Sequence, residues 1–114
     1  MSDCVFCKIV SGEIKTEFLY KDDYVACFRD IKPSAPVHLL VVPVKHISTP
    51  KELTEQDREI IGRMFQAVAK VTEQLGIAEK GYRMVTNVGP DAGQEVPHIH
   101  IHILGGRVLG WPPG

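Results

Sequence analysis

Residues 97–104 read Pro97-His98-Ile99-His100-Ile101-His102-Ile103-Leu104. Imidazole and aliphatic side chains alternate with a period of two. That is the period of a β-strand, whose side chains point to opposite faces in turn. The chain must therefore build a sheet that includes this segment, with the isoleucines toward a core and the histidines on the other face. At about 3.3 Å rise per residue, successive imidazoles on that face stand about 6.6 Å apart. Histidine's unperturbed pKa, about 6.5, lies close to neutrality. Three readings of the row stay open: metal ligation by same-face imidazoles, nucleophilic or acid–base catalysis, or a structural, solvated face.

The rest of the chain supplies partners for this strand. Cys4 to Val10 reads as a two-turn helix, with Ser2 or Asp3 as N-cap and Ser11-Gly12 as its stop. Phe18-Leu19-Tyr20 and Tyr24 to Phe28 flank Lys21-Asp22-Asp23, which predicts a hairpin. Pro33 and Pro36 then break the chain. His38 to Pro43 is apolar on both faces and so predicts a central strand. Thr54 and Asp57 form a capping-box pattern ahead of an apolar stripe at Ile60, Ile61, Met64, Val68, Val71 and Leu75, and Gly76 follows it. Tyr82 to Val88 predicts a fourth strand and Pro97 to Leu104 a fifth. Strands come in runs with one long helix between them, which favours α+β with an antiparallel sheet over βαβ alternation.

Composition narrows the function. A chain of 114 residues predicts one domain spanning 1–114. The net charge of −1, with no basic block, argues against binding nucleic acid. No apolar run approaches the roughly 20 residues that span a bilayer, which argues against a membrane partner. Met1-Ser2-Asp3-Cys4 lacks the features of a signal peptide, and three cysteines are too few for a disulfide framework. A cytoplasmic location is the expectation.

Two further features carry chemistry. Asn87, Gly89, Gly93 and Gln94 precede the histidine strand, and their amides suit a phosphate. Cys4-Val5-Phe6-Cys7 is a C-x-x-C whose thiols share one helix face. Alone, it reads equally as a redox pair, half a metal site, or two small buried residues. The lone Trp111 sits in a Gly/Pro-rich tail, where its apolar surface must dock on this chain's own core or on another subunit.

His98-Ile99-His100-Ile101-His102-Ile103-Leu104 resembles the histidine triad motif, three histidines each followed by an apolar residue. Asp30-Ile31, Ala35-Pro36-Val37-His38 and Val42-Pro43-Val44-Lys45-His46-Ile47 also fit that superfamily. Asn87, Gly93-Gln94, Gly105-Gly106-Arg107 and Trp111-Pro112-Pro113-Gly114 resemble its Hint branch, the purine nucleoside phosphoramidate hydrolases. The resemblance covers nearly the whole chain, in order.

It implies a five-stranded antiparallel sheet with one long and one short helix, extended across a homodimer. It implies hydrolysis of purine nucleoside phosphoramidates, with acyl-adenylates as a further class, through a nucleotidyl-histidine. The nucleophile would be His100, its tautomer held by a backbone carbonyl. His102 would donate to the phosphate, and His38 and His98 would join the network. The nucleotide would lie against Val5, Phe6, Ile9, Phe28 and Ile31. Asp30 would take the ribose, and Asn87, Gly93, Gln94, Glu95 and Val96 would lie around the phosphate, with Trp111 lining the partner subunit's leaving-group pocket. No cofactor is required for that chemistry. Cys4, Cys7, His46 and His98 match a structural zinc set. Glu95 departs from the small hydroxyl residue of eukaryotic Hint proteins, and Pro97 from the usual aromatic. Competing readings are a dinucleoside polyphosphate hydrolase, a nucleotide-binding regulatory or scaffold protein with incidental hydrolysis, and a bare zinc module.

Overall fold

A computed structural model describes residues 3–114. Among them the elements run α1 (Val5–Ser11), β1 (Phe18–Lys21), β2 (Val25–Arg29), β3 (Val37–Pro43), α2 (Arg58–Gln74), β4 (Tyr82–Val85) and β5 (Ile101–Gly105). The strands form one antiparallel sheet in the order β1-β2-β3-β5-β4. The class is α+β, as the run of strands around one long helix requires.

The central place of β3 follows from its composition. Leu39 and Val41 face α2, where they pack with Met64, Val68 and Val71 and with Ile101 and Ile103 of β5. Leu40 and Val42 face the other way, toward Phe6 and Val10 of α1 and Phe28 of β2. A strand buried on both faces needs no polar alternation, which is what its sequence shows. In register, His38 opposes Leu104 and Leu40 opposes His102, so both imidazoles lie on the α1 side of the sheet.

Both helices stop where a glycine supplies a positive φ. Gly12 (φ 89°) ends α1 and returns its N–H to the Ile9 carbonyl; Gly76 (φ 72°) follows α2. The Thr54–Asp57 capping box forms, and one 3₁₀ turn, Glu55–Asp57, precedes α2. Met64, Val68 and Val71 of the anticipated stripe are buried, whereas Ile60, Ile61 and Leu75 are half-buried at its margins.

Most boundaries differ by a residue or more from the sequence reading, and three of them bear on the site. The cap of α1 is Cys4, whose Sγ accepts the Cys7 N–H at 3.5 Å, and the helix begins one residue later than expected. Asp3 precedes the cap, and Ser2 lies outside the described residues. β5 starts at Ile101, not Pro97, because three backbone groups leave the ladder. Pro97 has no N–H, the His98 N–H turns to the Val96 carbonyl at 2.8 Å, and the Ile99 N–H turns to the Ile47 carbonyl at 2.6 Å. β4 correspondingly ends at Val85, which opposes His102 near the start of β5.

Candidate active site

On the α1 face of the sheet lies a cavity of about 690 Å³. Phe6 and Ile9 of α1 and Phe28 and Leu40 of the sheet form its apolar wall, and His38, His100 and His102 form its polar end. Asp30, Ile31, Asn87, Gly93, Glu95 and Val96 complete the positions expected around a nucleotide. Val5 lines both this cavity and a smaller hollow of about 360 Å³ beside it, and Glu95 and Val96 are likewise shared. Ile31 is almost fully exposed and contributes at the rim.

Hydrogen bonds assign the imidazole protons. A carbonyl can only accept, so His100 Nδ1 must carry its proton toward the His98 carbonyl at 2.7 Å. In the neutral ring, His100 Nε2 is then the nitrogen with the lone pair. A second chain of bonds starts at the Ser34 N–H, which donates to His38 Nδ1 at 2.9 Å. His38 Nε2 must then hold a proton, and it stands 2.9 Å from His102 Nδ1. His102 accepts there and keeps its own proton on Nε2. One histidine thus offers a nucleophilic nitrogen and its neighbour a donor, with ring centroids 5.0 Å apart. Burial holds His102 below the ordinary histidine range, and His100 and His38 push the same way.

Asp30 Oδ2 stands 3.4 Å from His38 Nε2, and Oδ1 accepts the Lys32 N–H at 2.8 Å. Asp30, His38 and His102 bring three ligand-type atoms within 4.8 Å of one another. The 2.9 Å separation of the two nitrogens is that of a hydrogen bond. It is shorter than the roughly 3.3 Å between two nitrogens on a tetrahedral zinc with about 2.0 Å bonds.

The second cluster has different spacing. Cys4 Sγ lies 3.3 Å and Cys7 Sγ 3.7 Å from His98 Nδ1, and Cys7 Sγ lies 3.3 Å from His46 Nδ1. All four ligand atoms fall within 4.8 Å of one another. Zinc–sulfur bonds of about 2.3 Å and zinc–nitrogen bonds of about 2.0 Å, at tetrahedral angles, separate ligands by about 3.3–3.8 Å. The outer nitrogens are also held: His98 Nε2 donates to the Pro43 carbonyl at 2.8 Å, and His46 Nε2 lies 3.3 Å from Ser48 Oγ. Such partners orient metal-binding imidazoles. Burial holds His98 low and pushes the Cys7 thiol up, helped by the Cys4 thiol. Cys27, buried in the sheet, is pushed up to about 12 and stays an inert core thiol.

Two expected positions change, those of His98 and Gln94. His98 is fully buried and faces the thiols, so its ring does not join the cavity's histidine network. Gln94 does not offer its amide to a phosphate: Oε1 accepts the Gly89 N–H, and Nε2 donates to the Ser48 and Val96 carbonyls. It braces the loop instead. Trp111 lies outside this chain's cavity and is 81% exposed. Its segment is pinned by Arg83, which donates to the Gly110 carbonyl at 2.8 Å and lies over the indole at 5.8 Å. The ring therefore does not dock on its own core.

Sequence reasoning missed Ser34, whose backbone sets the His38 tautomer, and the cavity residues Ile14, Lys15, Thr16, Arg29 and Lys32. No local pattern marks them. They meet only because α1 and the segment after it fold across the end of β2.

Comparison with known proteins places these features in context. Residues 11–109 match the HIT domain family. The chain is 46% identical to the purine nucleoside phosphoramidase of Escherichia coli K12, over 95% of this chain and 91% of that protein. A HIT family hydrolase from Legionella pneumophila superposes with a TM-score of 0.94 at 46% identity, covering 98% of this chain and 100% of that one. One from Clostridium thermocellum gives 0.93 at 47% identity, with 96% of each chain covered.

Proposed function

The chain belongs to the HIT domain family, and from that premise we propose that it hydrolyses purine nucleoside phosphoramidates through a nucleotidyl intermediate on His100. The observation that carries this reading is the His100 Nδ1 bond to the His98 carbonyl. It fixes a lone pair on Nε2, at the polar end of a cavity with an apolar aromatic wall. The phosphoramidase of Escherichia coli, alike over almost the whole length, supports the same reaction.

The purine lies against Phe6, Phe28 and Ile9, and Asp30 accepts from the ribose. His100 Nε2 attacks the α-phosphorus and forms a P–N bond. The substrate's own P–N bond breaks as the amine takes up a proton and leaves. Water then attacks the nucleotidyl-histidine, the P–Nε2 bond breaks, a proton is released, and the nucleoside monophosphate departs. His102 Nε2–H, held outward by the Ser34–His38 relay, donates to the phosphate oxygens as charge builds on them. Asn87 lines the same end. Glu95, at the opening toward the smaller hollow, lies beside the leaving group. Besides the chain's own groups these steps use one water and one proton, taken up with the leaving amine and returned at hydrolysis.

Cys4, Cys7, His46 and His98 would hold one structural zinc, and the ligand separations and the second bonds of both imidazoles support it. The ion would tie α1 to the loops before α2 and β5. A homodimer is part of the same reading. The free edge of β4, the exposed Phe65 on α2 and the undocked Trp111 are the surfaces it would cover, and Trp111 would line the partner's leaving-group pocket. Thiols left unpaired in the chain fit a reducing, cytoplasmic setting.

The test is His100→Ala. The variant should retain its fold and bind AMP while turnover of adenosine phosphoramidate falls by about 10⁴-fold or more. Retention of most activity would remove the covalent mechanism.

A further inference from the structure

We propose that His98 is a positioning residue for His100, and that the Cys4–Cys7–His46–His98 cluster thereby sets the tautomer of the nucleophile. The inference rests on the reading of His100 as nucleophile. It goes beyond a structural metal site by making the cluster part of the catalytic apparatus.

The bond that fixes His100 is accepted by the backbone of His98, and that backbone has no ladder to hold it. β5 begins only at Ile101. The peptide unit that carries the His98 carbonyl is instead oriented from three sides. Its own N–H, on Ile99, donates to the Ile47 carbonyl at 2.6 Å. The His98 ring is anchored at Nε2 by the Pro43 carbonyl at 2.8 Å. At Nδ1 it is faced by the thiols of Cys4 and Cys7 at 3.3 and 3.7 Å.

Two of these sides, Ile47 and the thiols, meet in the cluster. His46, adjacent to Ile47, points Nδ1 at Cys7 Sγ, so the acceptor of the Ile99 N–H is tethered to the same thiol. Lys45, on the other side of His46, donates to the buried Asp57 at 2.8 Å and fixes that segment to the start of α2. The segments 45–47 and 98–100 and the first turn of α1 are therefore joined through two thiols. Phe6, between those thiols in sequence, sets its ring edge-on to both His98 and His100, at 5.7 and 5.0 Å. Loosening the thiol side frees the 98–99 peptide to rotate. A few tens of degrees would take the carbonyl out of line with His100 Nδ1, and a hydrogen bond weakens steeply off line. Without that acceptor, His100 is free to carry its proton on Nε2, where it cannot attack phosphorus.

The experiment uses full-length protein with ¹⁵N-labelled histidine. Two-bond ¹⁵N–¹H spectra report each ring's tautomer, with His100 assigned by the signals missing in His100→Ala. The proposal expects the Nδ1–H form in the native protein and a mixture with the Nε2–H form in Cys4→Ser/Cys7→Ser. In that variant kcat should fall roughly 10- to 100-fold, with KM and AMP affinity changed by no more than about twofold, because the cavity wall remains. A folded variant with an unchanged His100 ring signature and unchanged kcat would overturn the proposal. So would a loss of kcat/KM that comes from a raised KM alone.

If the double variant does not fold, Cys7→Ser alone and chelation of metal from the native protein apply the same perturbation, with the same two outcomes read on the same signals. Turnover surviving in His100→Ala would refute the nucleophile assignment and leave the ring measurement to decide the coupling separately.

Discussion

Phe6→Leu probes the point where core, cluster and nucleophile meet. Phe6 is buried and packs edge-to-face on Phe28 at 5.7 Å, on His98 at 5.7 Å and on His100 at 5.0 Å. Leucine keeps much of the apolar burial, so the loss stays well below the roughly 3–5 kcal/mol of truncating a buried Phe to Ala. What goes is the edge-to-face contact, worth about 0.5–1.5 kcal/mol per pair beyond burial. With the two imidazole contacts taken at the lower end of that range, the three pairs together give a destabilisation of about 2 kcal/mol. Urea unfolding measures it, as a lower midpoint at an unchanged m-value. Phe6 also backs the His100 ring, so kcat should fall about tenfold, the effect of roughly 1.4 kcal/mol on the barrier. A stability change under about 0.5 kcal/mol with native kcat would show that Phe6 is only apolar filler.

Three other outcomes follow from the same geometry. Burial first, and neighbouring imidazoles after it, hold both His98 and His102 below the ordinary histidine value. The unfolded chain therefore binds protons that the folded chain refuses. Stability is full well above about pH 6.5 and falls as pH drops through that value toward the folded values, by at most about 1.4 kcal/mol per pH unit for each histidine. A urea midpoint that stays flat or rises between about pH 7.5 and about pH 5.5 would contradict this sign. Protein purified without added metal should contain one zinc per chain by elemental analysis and lose it in Cys4→Ala/Cys7→Ala; zinc surviving in that variant would move the site elsewhere. Light scattering at micromolar concentration should give a dimer, and Trp111→Ala should change the ranking of amine leaving groups more than the rate with the smallest one. A monomer, or an unchanged ranking, would count against the shared site.

Legibility in the sequence followed the range of the interactions. β3, α2 and the hairpin were readable because burial on two faces, on one stripe and around a turn each leave a local pattern. The Thr54–Asp57 box and the glycines at 12 and 76 are equally local, and all three stand where that pattern puts them. The start of β5 was not readable. The alternation at 97–100 continues through residues whose N–H groups turn away to Val96 and Ile47, and the second of these is a contact between segments distant in sequence. His98 shows the same limit within the motif. Its spacing matches that of His100 and His102, yet its ring is committed to the thiols and to Pro43. The role of Gln94 was equally invisible, since its amide is used up by Gly89, Ser48 and Val96 in a fold that only the finished loop defines. Residue types announced the chemistry, whereas the tautomers that direct it arise from carbonyls and backbone N–H groups common to every residue.

The central claim is a covalent bond from His100 Nε2 to phosphorus. Native protein mixed with adenosine phosphoramidate and quenched within the first turnover, then digested and analysed by mass spectrometry under non-acidic conditions, tests it directly. The account predicts an adenylate on the peptide spanning residues 98–104, localised to His100, absent in His100→Ala and lost on further incubation as AMP accumulates. Rapid AMP formation with no adduct at any quench time, or an adduct on a residue other than His100, would contradict it.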